Sequence, residues 1–483
     1  MSTSIRNLQP TALWNHFADL NAVPRPSKKE ERVIAFMESF GRSLGLPTER
    51  DEIGNVVIRK AATPGMENRP TVILQSHLDM VHQKNNDTVF DFESEGIRMF
   101  IDGDWVKAEG TTLGADNGIG VATIMALLSS SEIAHPPLEA LFTIDEETGM
   151  TGALKLKRNW LKGSILLNLD TEDDDELTIG CAGGIDVTAS GSYTEEQTPS
   201  GSGGWKLTIK GLSGGHSGMD INKGLGNANK LLARMLYKAH ERYGVRVARI
   251  DGGGLRNAIP REASAHLAVS TLQDEPFLKH IKEMETTLRS EYASTDPGLT
   301  VLLEPADLPA MVMQEEFQDA FISGILACPN GIYRMSPDID GLVQTSNNIA
   351  RVLVHSGEAS VQCLTRSSLD SEKGDLANSI EACFGLVGLT TTFSGDYPGW
   401  QPAPSSHIVS LMEELYIKRF NEKPHVLACH AGLECGIIAG AYPGLDMVSF
   451  GPNIKGAHSP DERVQVSSVQ KFWGYLTETL ATI

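Results

Sequence analysis

The sequence lacks the features that would direct it to a membrane, to secretion or to nucleic acid. No stretch reaches the roughly 20 consecutive apolar residues of a membrane helix. The first residues, MSTSIRNLQPTALWNHF, lack the basic and then apolar pattern of a secretory signal. The formal net charge of −21 is the opposite of the basic surplus that nucleic acid or an anionic membrane attracts. We therefore expect a cytoplasmic protein that binds neither nucleic acid nor membranes.

Cysteine is scarce and widely spaced. The six cysteines form no CxxC pair, so neither a disulfide framework nor a thiolate zinc finger is indicated. The remaining composition, 41% hydrophobic and 21% charged, is ordinary for a globular protein. A chain of 483 residues exceeds what one hydrophobic core usually serves, so we expect two or three domains.

Short apolar runs that end in polar residues recur in the N-terminal part of the chain. They are TVILQSH (71–77), LEALFTIDEE (138–147) and GSILLNLDTED (163–173). Between the first two, ADNGIGVATIMALLSS (115–130) has helical spacing behind an aspartate cap. LDMVSFGPNIKGAHSP (445–460) repeats the strand-and-loop pattern near the C-terminus. Apolar runs of this kind are typical of buried parallel strands, whose carboxyl ends carry the sites of α/β proteins.

The middle of the chain alternates more regularly between polar and apolar residues. WKLTIKGL (205–212) and REASAHLAVS (261–270) read as strands, and NANKLLARMLYKAHERYG (227–244) reads as a helix. This pattern favours an antiparallel sheet covered by helices on one side.

We predict an α/β protein of two domains. A discontinuous catalytic domain, residues 1–183 and 400–483, would have a mostly parallel central sheet flanked by helices. An α+β domain, residues 184–399, would be inserted into it.

Imidazoles and carboxylates collect at the predicted strand ends. They are His77 and Asp79, Asp116, Glu146 and Glu147, Asp170, and His458. Nitrogen and oxygen ligands of this mix suit zinc, cobalt or manganese. Five ligands, one of them a bridging carboxylate, are enough for two metals about 3.5–4 Å apart. Each residue alone has an ordinary alternative as a helix cap, an Asx turn or a solvated acid, so the prediction rests on their joint occurrence.

The same segments resemble the carnosinase–aminoacylase family of two-zinc metallopeptidases, clan MH. The resemblance rests on H-x-D in SHLDMV, G-x-D-N-G-x-G in GADNGIG, D-E-E-T-G, the aspartate of LNLDTED and the histidine of GAHSP. It implies that Asp116 bridges two divalent metals, most simply zinc, which cobalt or manganese would replace. His77 and Asp170 would complete one metal site, and Glu147 and His458 the other.

The resemblance also implies roles beside the metals. Glu146 would be the general base that takes a proton from the bridging water, and Asp79 would hydrogen-bond His77 and fix its tautomer. A cis peptide bond would follow Asp116.

The inserted domain of the family is a lid that carries substrate-binding groups. His216 in GLSGGHSG would polarise the scissile carbonyl, Asn257 lies in the N-x-I-P segment, and Arg366 in CLTRSS would bind the substrate carboxylate. The segment CHAGLECGIIAG (429–440) departs from the G-G-T-D pattern of other members, and Glu434 within it would bind the substrate's amino group. The resemblance implies a homodimer, in which His216 serves either its own subunit or a partner's.

The implied reaction is hydrolysis of a small peptide. HLDMVHQK and DEETGMTGA are most similar to family members that cleave unblocked dipeptides of the Xaa-His type, such as carnosine. The alternatives are a tripeptide aminopeptidase, an N-acyl amino acid deacylase, or an inactive metal-binding protein. Glu146 argues against the last, since a binding protein needs ligands but no general base.

Overall fold

Helices and strands alternate along most of the chain in the computed structural model, which describes residues 4–483. The helices are α1 (Thr11–Asn21), α2 (Glu31–Ser43), α3 (Ala115–Ser129), α4 (Glu146–Gly149), α5 (Thr151–Leu154), α6 (Ala228–Leu236), α7 (Ala239–Tyr243), α8 (Asp274–Glu291), α9 (Glu315–Ala327), α10 (Asp370–Gly385), α11 (His407–Phe420), α12 (Glu434–Ala441) and α13 (Val466–Thr482). Short 3₁₀ turns span Ile5–Asn7 and Ile221–Lys223.

The strands range in length from two to 13 residues. They are β1 (Thr48–Arg50), β2 (Val56–Lys60), β3 (Val72–His77), β4 (Met99–Asp102), β5 (Trp105–Ala108), β6 (Leu138–Thr143), β7 (Ile165–Asn168), β8 (Glu176–Cys181), β9 (Gly183–Ser192), β10 (Glu195–Gln197), β11 (Ser202–Lys210), β12 (Gly215–His216), β13 (Arg246–Gly253), β14 (Ala258–Ile259), β15 (Ala263–Ser270), β16 (Thr300–Pro305), β17 (Met311–Met313), β18 (Gly331–Met335), β19 (Val343–His355), β20 (Glu358–Ser367), β21 (Thr390–Tyr397), β22 (His425–Cys429), β23 (Asp446–Ser449), β24 (Ile454–Lys455) and β25 (Arg463–Gln465).

The chain divides into two units. The first comprises Met1–Gly180, Trp400–Ala428 and Leu433–Ile483, and the second comprises Cys181–Gly399 and Cys429–Gly432. Within residues 4–483, no helix combines the length and the apolar character needed to cross a membrane.

The first unit is built on an eight-stranded sheet in the order β1-β2-β6-β3-β7-β23-β8-β22. Its central strands β6, β3, β7 and β23 run parallel to one another. Every residue of β3, β6 and β7 is buried, because helices and loops cover both faces of a parallel sheet. The predicted α/β architecture with parallel central strands is therefore confirmed, and the carboxyl ends of these strands meet at one edge.

Helix α3 is buried on nearly all sides and not on one face alone. Its residues are mostly small and apolar, which lets it pack beside β3 and α1. The residue that precedes the helix is Gly114, which has no side chain of its own to cap the first turn. The predicted capping role of Asp116 is therefore wrong, because the Asp116 carboxylate hydrogen-bonds imidazoles instead.

A second sheet of this unit has the order β24-β25-β5-β4.

The second unit contains a nine-stranded antiparallel sheet. Its strands run in the order β16-β11-β15-β13-β19-β20-β9-β21, and β18 pairs with β19. Alternate residues of β9, β11 and β15 are buried, and they form one core with side chains of α6, α8, α9 and α10. The predicted antiparallel sheet with helices on one side is confirmed.

The predicted helix over residues 227–244 is wrong in one respect, because two helices occupy this range. Helix α6 ends at Leu236, and α7 begins at Ala239. Between them Lys238 has φ = 59°, a left-handed conformation that interrupts the hydrogen-bond ladder.

Candidate active site

Three of the parallel strands deliver functional side chains to the same edge of the sheet. His77 is the last residue of β3, Glu146 and Glu147 follow β6, and Asp170 follows β7. The register pairs His77 with Thr143, the last residue of β6. The chain therefore brings an imidazole and several carboxylates together because parallel strands end side by side.

Asp116 reaches this edge from the start of α3 and lies between two histidines. Its Oδ1 atom is 3.1 Å from His77 Nε2, and its Oδ2 atom is 3.2 Å from His458 Nε2. The Asp116–Asn117 peptide bond is cis, as the family resemblance implies. One carboxylate thus presents each of its oxygens to a different imidazole, which is the arrangement that a bridging ligand requires.

Several groups of three acid or imidazole side chains have ligand atoms within 4.8 Å of one another, and two of these groups share Asp116. A further group consists of His77, Glu146 and Glu147. In the first of the two groups that share Asp116, His77 Nε2 is 3.5 Å from Asp170 Oδ1. In the second, His458 Nε2 is 3.0 Å from Glu147 Oε2. The other oxygen of Glu147 is buried and has no hydrogen-bond partner among the described residues. Imidazole and carboxylate donors in two such groups, with one buried acceptor unsatisfied, fit two divalent cations.

The electrostatics of the site indicate an excess of acid. Burial raises the pKa of Glu147 and of Asp170 above their usual values. Hydrogen bonds to Asp116 and Glu147 raise the pKa of His458 to about 11. Burial lowers the pKa of His77, but Asp170 and Asp116 outweigh that effect and raise it well above its usual value. In the absence of cations the cluster holds protons, and metal ions would take the place of those protons.

Asp79 contacts both His77 and the turn that follows β6. Its Oδ1 atom is 3.4 Å from His77 Nδ1. Its two oxygens also accept hydrogen bonds from the backbone N–H groups of Glu146 (3.0 Å) and Glu147 (3.3 Å). Asp79 is fully buried, and Ser27 Oγ donates a further hydrogen bond of 2.7 Å to it. One carboxylate therefore orients an imidazole and two neighbouring acids.

The three successive acids of DEET have different surroundings. Asp145 is held by Lys28 Nζ at 3.1 Å and by the hydroxyl groups of Thr148 and Thr151. Within the described part of the chain Glu146 has no such partners, and its carboxylate lies near His77 and Glu147. Burial raises the pKa of Glu146 well above its usual value. The turn thus has one structural acid, one acid facing His458 and one acid free to exchange a proton.

Glu434 is the first residue of α12 and is almost fully buried. Its Oε2 atom accepts hydrogen bonds from Gln75 Nε2 (2.7 Å) and Thr143 Oγ1 (2.6 Å). Its Oε1 atom has no partner among the described residues. Burial raises the pKa of Glu434 to about 7, and His77 partly opposes that rise. Glu434 is thus fixed to β3 and β6 through one carboxylate oxygen, and its other oxygen is available to accept a hydrogen bond.

His216 and Asn257 lie in the second unit, on neighbouring segments. The short strands β12 and β14 pair His216 with Ala258, and the carbonyl oxygen of Asn257 accepts the Ser217 N–H at 2.8 Å. His216 Nδ1 accepts the backbone N–H groups of Gly218 (3.2 Å) and Met219 (3.0 Å). Burial lowers the pKa of His216. The neutral ring therefore carries its proton on Nε2, where it can donate a hydrogen bond.

Arg366 also lies in the second unit, near the end of β20. Its guanidinium is buried, and Nη1 donates to Tyr397 Oη at 2.9 Å. Among residues 4–483, its Nε atom has no hydrogen-bond partner and its guanidinium forms no ion pair. A buried guanidinium without an acid is costly, so Arg366 is suited to an anionic ligand.

Two side chains of the site escaped the sequence analysis. Asn117 Nδ2 donates to the carboxylate of Asp170 and, at 2.7 Å, to the carbonyl oxygen of Leu169. Ser27 donates to Asp79 across 52 positions of sequence. Asn117 stands inside the GADNGIG motif, which offered a signal, whereas nothing around Ser27 in PRPSKKE indicates its role.

Sequence comparisons with known proteins match most or all of the chain. The profile of "Peptidase family M20/M25/M40" matches residues 73–482. The cytosol non-specific dipeptidase of Escherichia coli (strain K12) is 44% identical over 481 residues, which cover 100% of this chain and 99% of that protein.

Solved structures give the same result. The crystal structure of aminoacylhistidine dipeptidase from Vibrio alginolyticus matches with a TM-score of 0.95 and 43% identity, covering 100% of this chain and 98% of that chain. Aminopeptidase PepT from Bacillus cereus matches with a TM-score of 0.56 and 16% identity, covering 98% of each chain, and so shares the fold alone.

Proposed function

The chain belongs to peptidase family M20/M25/M40, and we propose that it is a metallo-dipeptidase that hydrolyses unblocked dipeptides. The observation that carries the proposal is the position of Asp116, which two groups of ligand atoms share. A further acid, Glu146, lies close by and belongs to neither of these two groups. The chain's similarity over full length to two dipeptidases supports the substrate class.

The metal ligands follow from the two groups. His77, Asp116 and Asp170 would hold one divalent ion, and Asp116, Glu147 and His458 the other. Two ions bound there would lower the pKa of a shared water molecule and polarise the substrate carbonyl. The donor set suits zinc, and we propose zinc as the ion, with cobalt or manganese able to substitute.

Glu146 transfers a proton from the attacking water to the leaving amine, whose nitrogen receives it from the carboxylate. Burial raises the pKa of Glu146, so the carboxylate is a stronger base than an exposed glutamate. Asp79 holds the backbone of Glu146 and the imidazole of His77 and thereby fixes the direction from which the base approaches.

His216 stabilises the carbonyl oxygen as it gains negative charge. The tautomer supports this role, because the backbone N–H groups of Gly218 and Met219 occupy Nδ1 and leave Nε2–H as the donor. Asn257, on the adjoining segment, assists at the same part of the substrate.

Arg366 and Glu434 bind the two charged ends of a dipeptide. The unpaired guanidinium of Arg366 binds the C-terminal carboxylate, and the free oxygen of Glu434 accepts the α-ammonium group. Recognition of a free carboxylate by a guanidinium and of a free ammonium group by a carboxylate favours unblocked peptides over substrates that lack one of these charges.

The proposal also covers the preferred substrate, the cellular location, the oligomeric state and the domain organisation. Dipeptides ending in histidine are preferred substrates, in line with the name of the Vibrio alginolyticus relative. The enzyme acts in the cytoplasm, in line with the name of the Escherichia coli relative, and as a homodimer. A discontinuous catalytic domain, residues 1–183 and 400–483, with a lid domain, residues 184–399, is the organisation we propose.

A substrate panel tests the proposal. Chelator-stripped protein would be reloaded with Zn²⁺, Co²⁺ or Mn²⁺ and offered Xaa-His dipeptides, other dipeptides, tripeptides and N-acyl amino acids. We expect metal-dependent cleavage of dipeptides above the other classes. Preference for tripeptides or N-acyl amino acids would favour the corresponding aminopeptidase or deacylase, and absence of all hydrolysis in a metal-loaded protein would refute the enzyme.

A further inference from the structure

Glu462 is a buried acid that holds four successive backbone N–H groups. It is 2% exposed. The donors are the N–H groups of Leu113, Gly114, Ala115 and Asp116, at 2.7, 2.9, 2.7 and 3.2 Å. These groups open helix α3, where a carboxylate complements the unsatisfied N–H groups and the helix dipole. Glu462 follows His458 by four residues, so it joins the segment of one candidate ligand to the segment of another, Asp116.

Arg25 is a buried cation that also connects two segments of the site. It is 1% exposed, and its Nη1 atom donates to the carbonyl oxygens of Leu78 (3.1 Å) and Asp79 (3.0 Å). Its Nη2 atom donates to the carbonyl oxygen of Gly114 (2.6 Å) and to Asn21 Oδ1 (3.0 Å). Arg25 therefore joins the segment that follows His77 to the loop that precedes Asp116.

Two glycines leave room for the Arg25 guanidinium. A Cβ atom added to Gly114 or to Gly118 would lie 2.5 Å from Arg25 Nη2. Gly114 also has φ = 70°, a conformation that other residues rarely adopt. The GADNGIG motif is thus shaped around Arg25 as well as around Asp116, although Arg25 lies about 90 residues earlier.

We propose that Arg25 and Glu462 are positioning residues that fix Asp116 between His77 and His458 and thereby set the metal affinity of both candidate sites. The loop of residues 113–116 lies between a buried anion that binds its N–H groups and a buried cation that binds a carbonyl group. Because Asp116 belongs to both ligand groups, a shift of this loop changes both sites together. The inference rests on the proposed two-metal function.

The test compares Glu462→Gln with a matched control, Glu139→Gln. Glu139 is also 2% exposed, accepts the backbone N–H groups of Lys162 (2.6 Å) and Gly163 (2.9 Å), and pairs with Arg59 at 2.9 Å, but it faces no site residue. Metal-free protein would be titrated with Co²⁺, with calorimetry and the visible absorption of the bound ion as readouts, and folding checked by circular dichroism.

We expect Glu462→Gln to weaken the binding of both ions about 10–100-fold and to alter the Co²⁺ spectrum, as loss of support for a ligand does. Glu139→Gln should lower the melting temperature and leave both affinities unchanged. Arg25→Lys should behave like Glu462→Gln, since one ammonium group cannot span both segments. If Glu462→Gln does not fold, Gly118→Ala, which displaces the guanidinium, carries the same expectation.

Wild-type affinity for both ions in a folded Glu462→Gln or Gly118→Ala variant would overturn the positioning role, as would an equal loss in Glu139→Gln. Failure of the wild-type protein itself to bind two ions would instead refute the proposed metal centre. The two failures are therefore distinguishable.

Discussion

Asp79 illustrates how one buried carboxylate governs several neighbours. It faces His77 Nδ1 and holds the N–H groups of Glu146 and Glu147, but it belongs to neither proposed metal group. We predict that Asp79→Ala keeps the fold and lowers kcat about 10–100-fold, because His77 and the acidic turn lose their orientation. Steady-state kinetics and a thermal melt measure both effects.

Asp51 provides the control for Asp79. It too is buried and accepts three backbone N–H groups, those of Ile53, Gly54 and Asn55, but it is not a site residue. Asp51→Ala should lower the melting temperature without changing kcat. Turnover of Asp79→Ala equal to that of the wild type would reduce Asp79 to a turn residue.

His458 links metal binding to pH. Hydrogen bonds to Asp116 and Glu147 raise its pKa to about 11, so at pH 8 the metal-free protein still holds a proton there. A metal ion needs the neutral ring, so binding must release that proton, and apparent affinity should rise with pH well above 6.5. We predict release of about one proton or more at pH 8, measured by calorimetry in buffers of different ionisation enthalpy.

A histidine of ordinary pKa would already be neutral at pH 8 and would release almost nothing. The variant His425→Gln, which removes a largely exposed histidine, should release as many protons as the wild type. Proton release near zero at pH 8 in the wild type would contradict the raised pKa of His458.

At the scale of elements, the short β12–β14 pair presents His216. The backbone N–H groups of Gly218 and Met219 fix the imidazole ring through Nδ1, and Asp220 Oδ2 accepts the backbone N–H of His216 at 2.6 Å. We predict that His216→Ala keeps metal affinity and lowers kcat about 10²–10³-fold, as loss of an oxyanion donor does. Kinetics on metal-loaded protein, with metal analysis, measure this, and a change in KM alone would contradict the role.

The elements also show what a sequence can predict here. The placement of His77, Glu147 and Asp170 at one edge of the sheet could be predicted, because polar residues at the ends of buried apolar strands are conspicuous. The placement of Arg25 and Glu462 could not, because their partners are backbone groups, which the sequence pattern does not encode.

The helix predicted from sequence over residues 227–244 was also only partly predictable. The apolar periodicity of residues 227–244 predicts helix, and helix forms over most of the range. The break at Lys238 depends on a local left-handed turn, and Lys is a residue without a strong turn signal.

At the scale of the whole molecule, substrate length tests the role of Arg366. A dipeptide offers its carboxylate one residue beyond the scissile bond, whereas a tripeptide or a dipeptide amide offers an uncharged group there. Because a buried guanidinium left unpaired is costly, we predict that both analogues lose at least about 10-fold in kcat/KM. Arg366→Lys should lose nearly as much activity on the dipeptide as Arg366→Ala, since lysine lacks the planar fork.

Kinetics on the three substrates with wild type and both variants check this prediction. Equal wild-type rates on dipeptide, amide and tripeptide would contradict both the carboxylate contact and the dipeptidase assignment.

The number of metal ions bound per chain shows whether Asp116 serves two ions beside a separate base. Elemental analysis of purified, Zn²⁺-reloaded variants would count the ions. We predict two in the wild type and in Glu146→Ala, which should lose kcat by several orders of magnitude, one in Glu147→Ala, and none in Asp116→Ala. Two ions retained in Asp116→Ala, or equal depletion in Glu146→Ala and Glu147→Ala, would contradict the account.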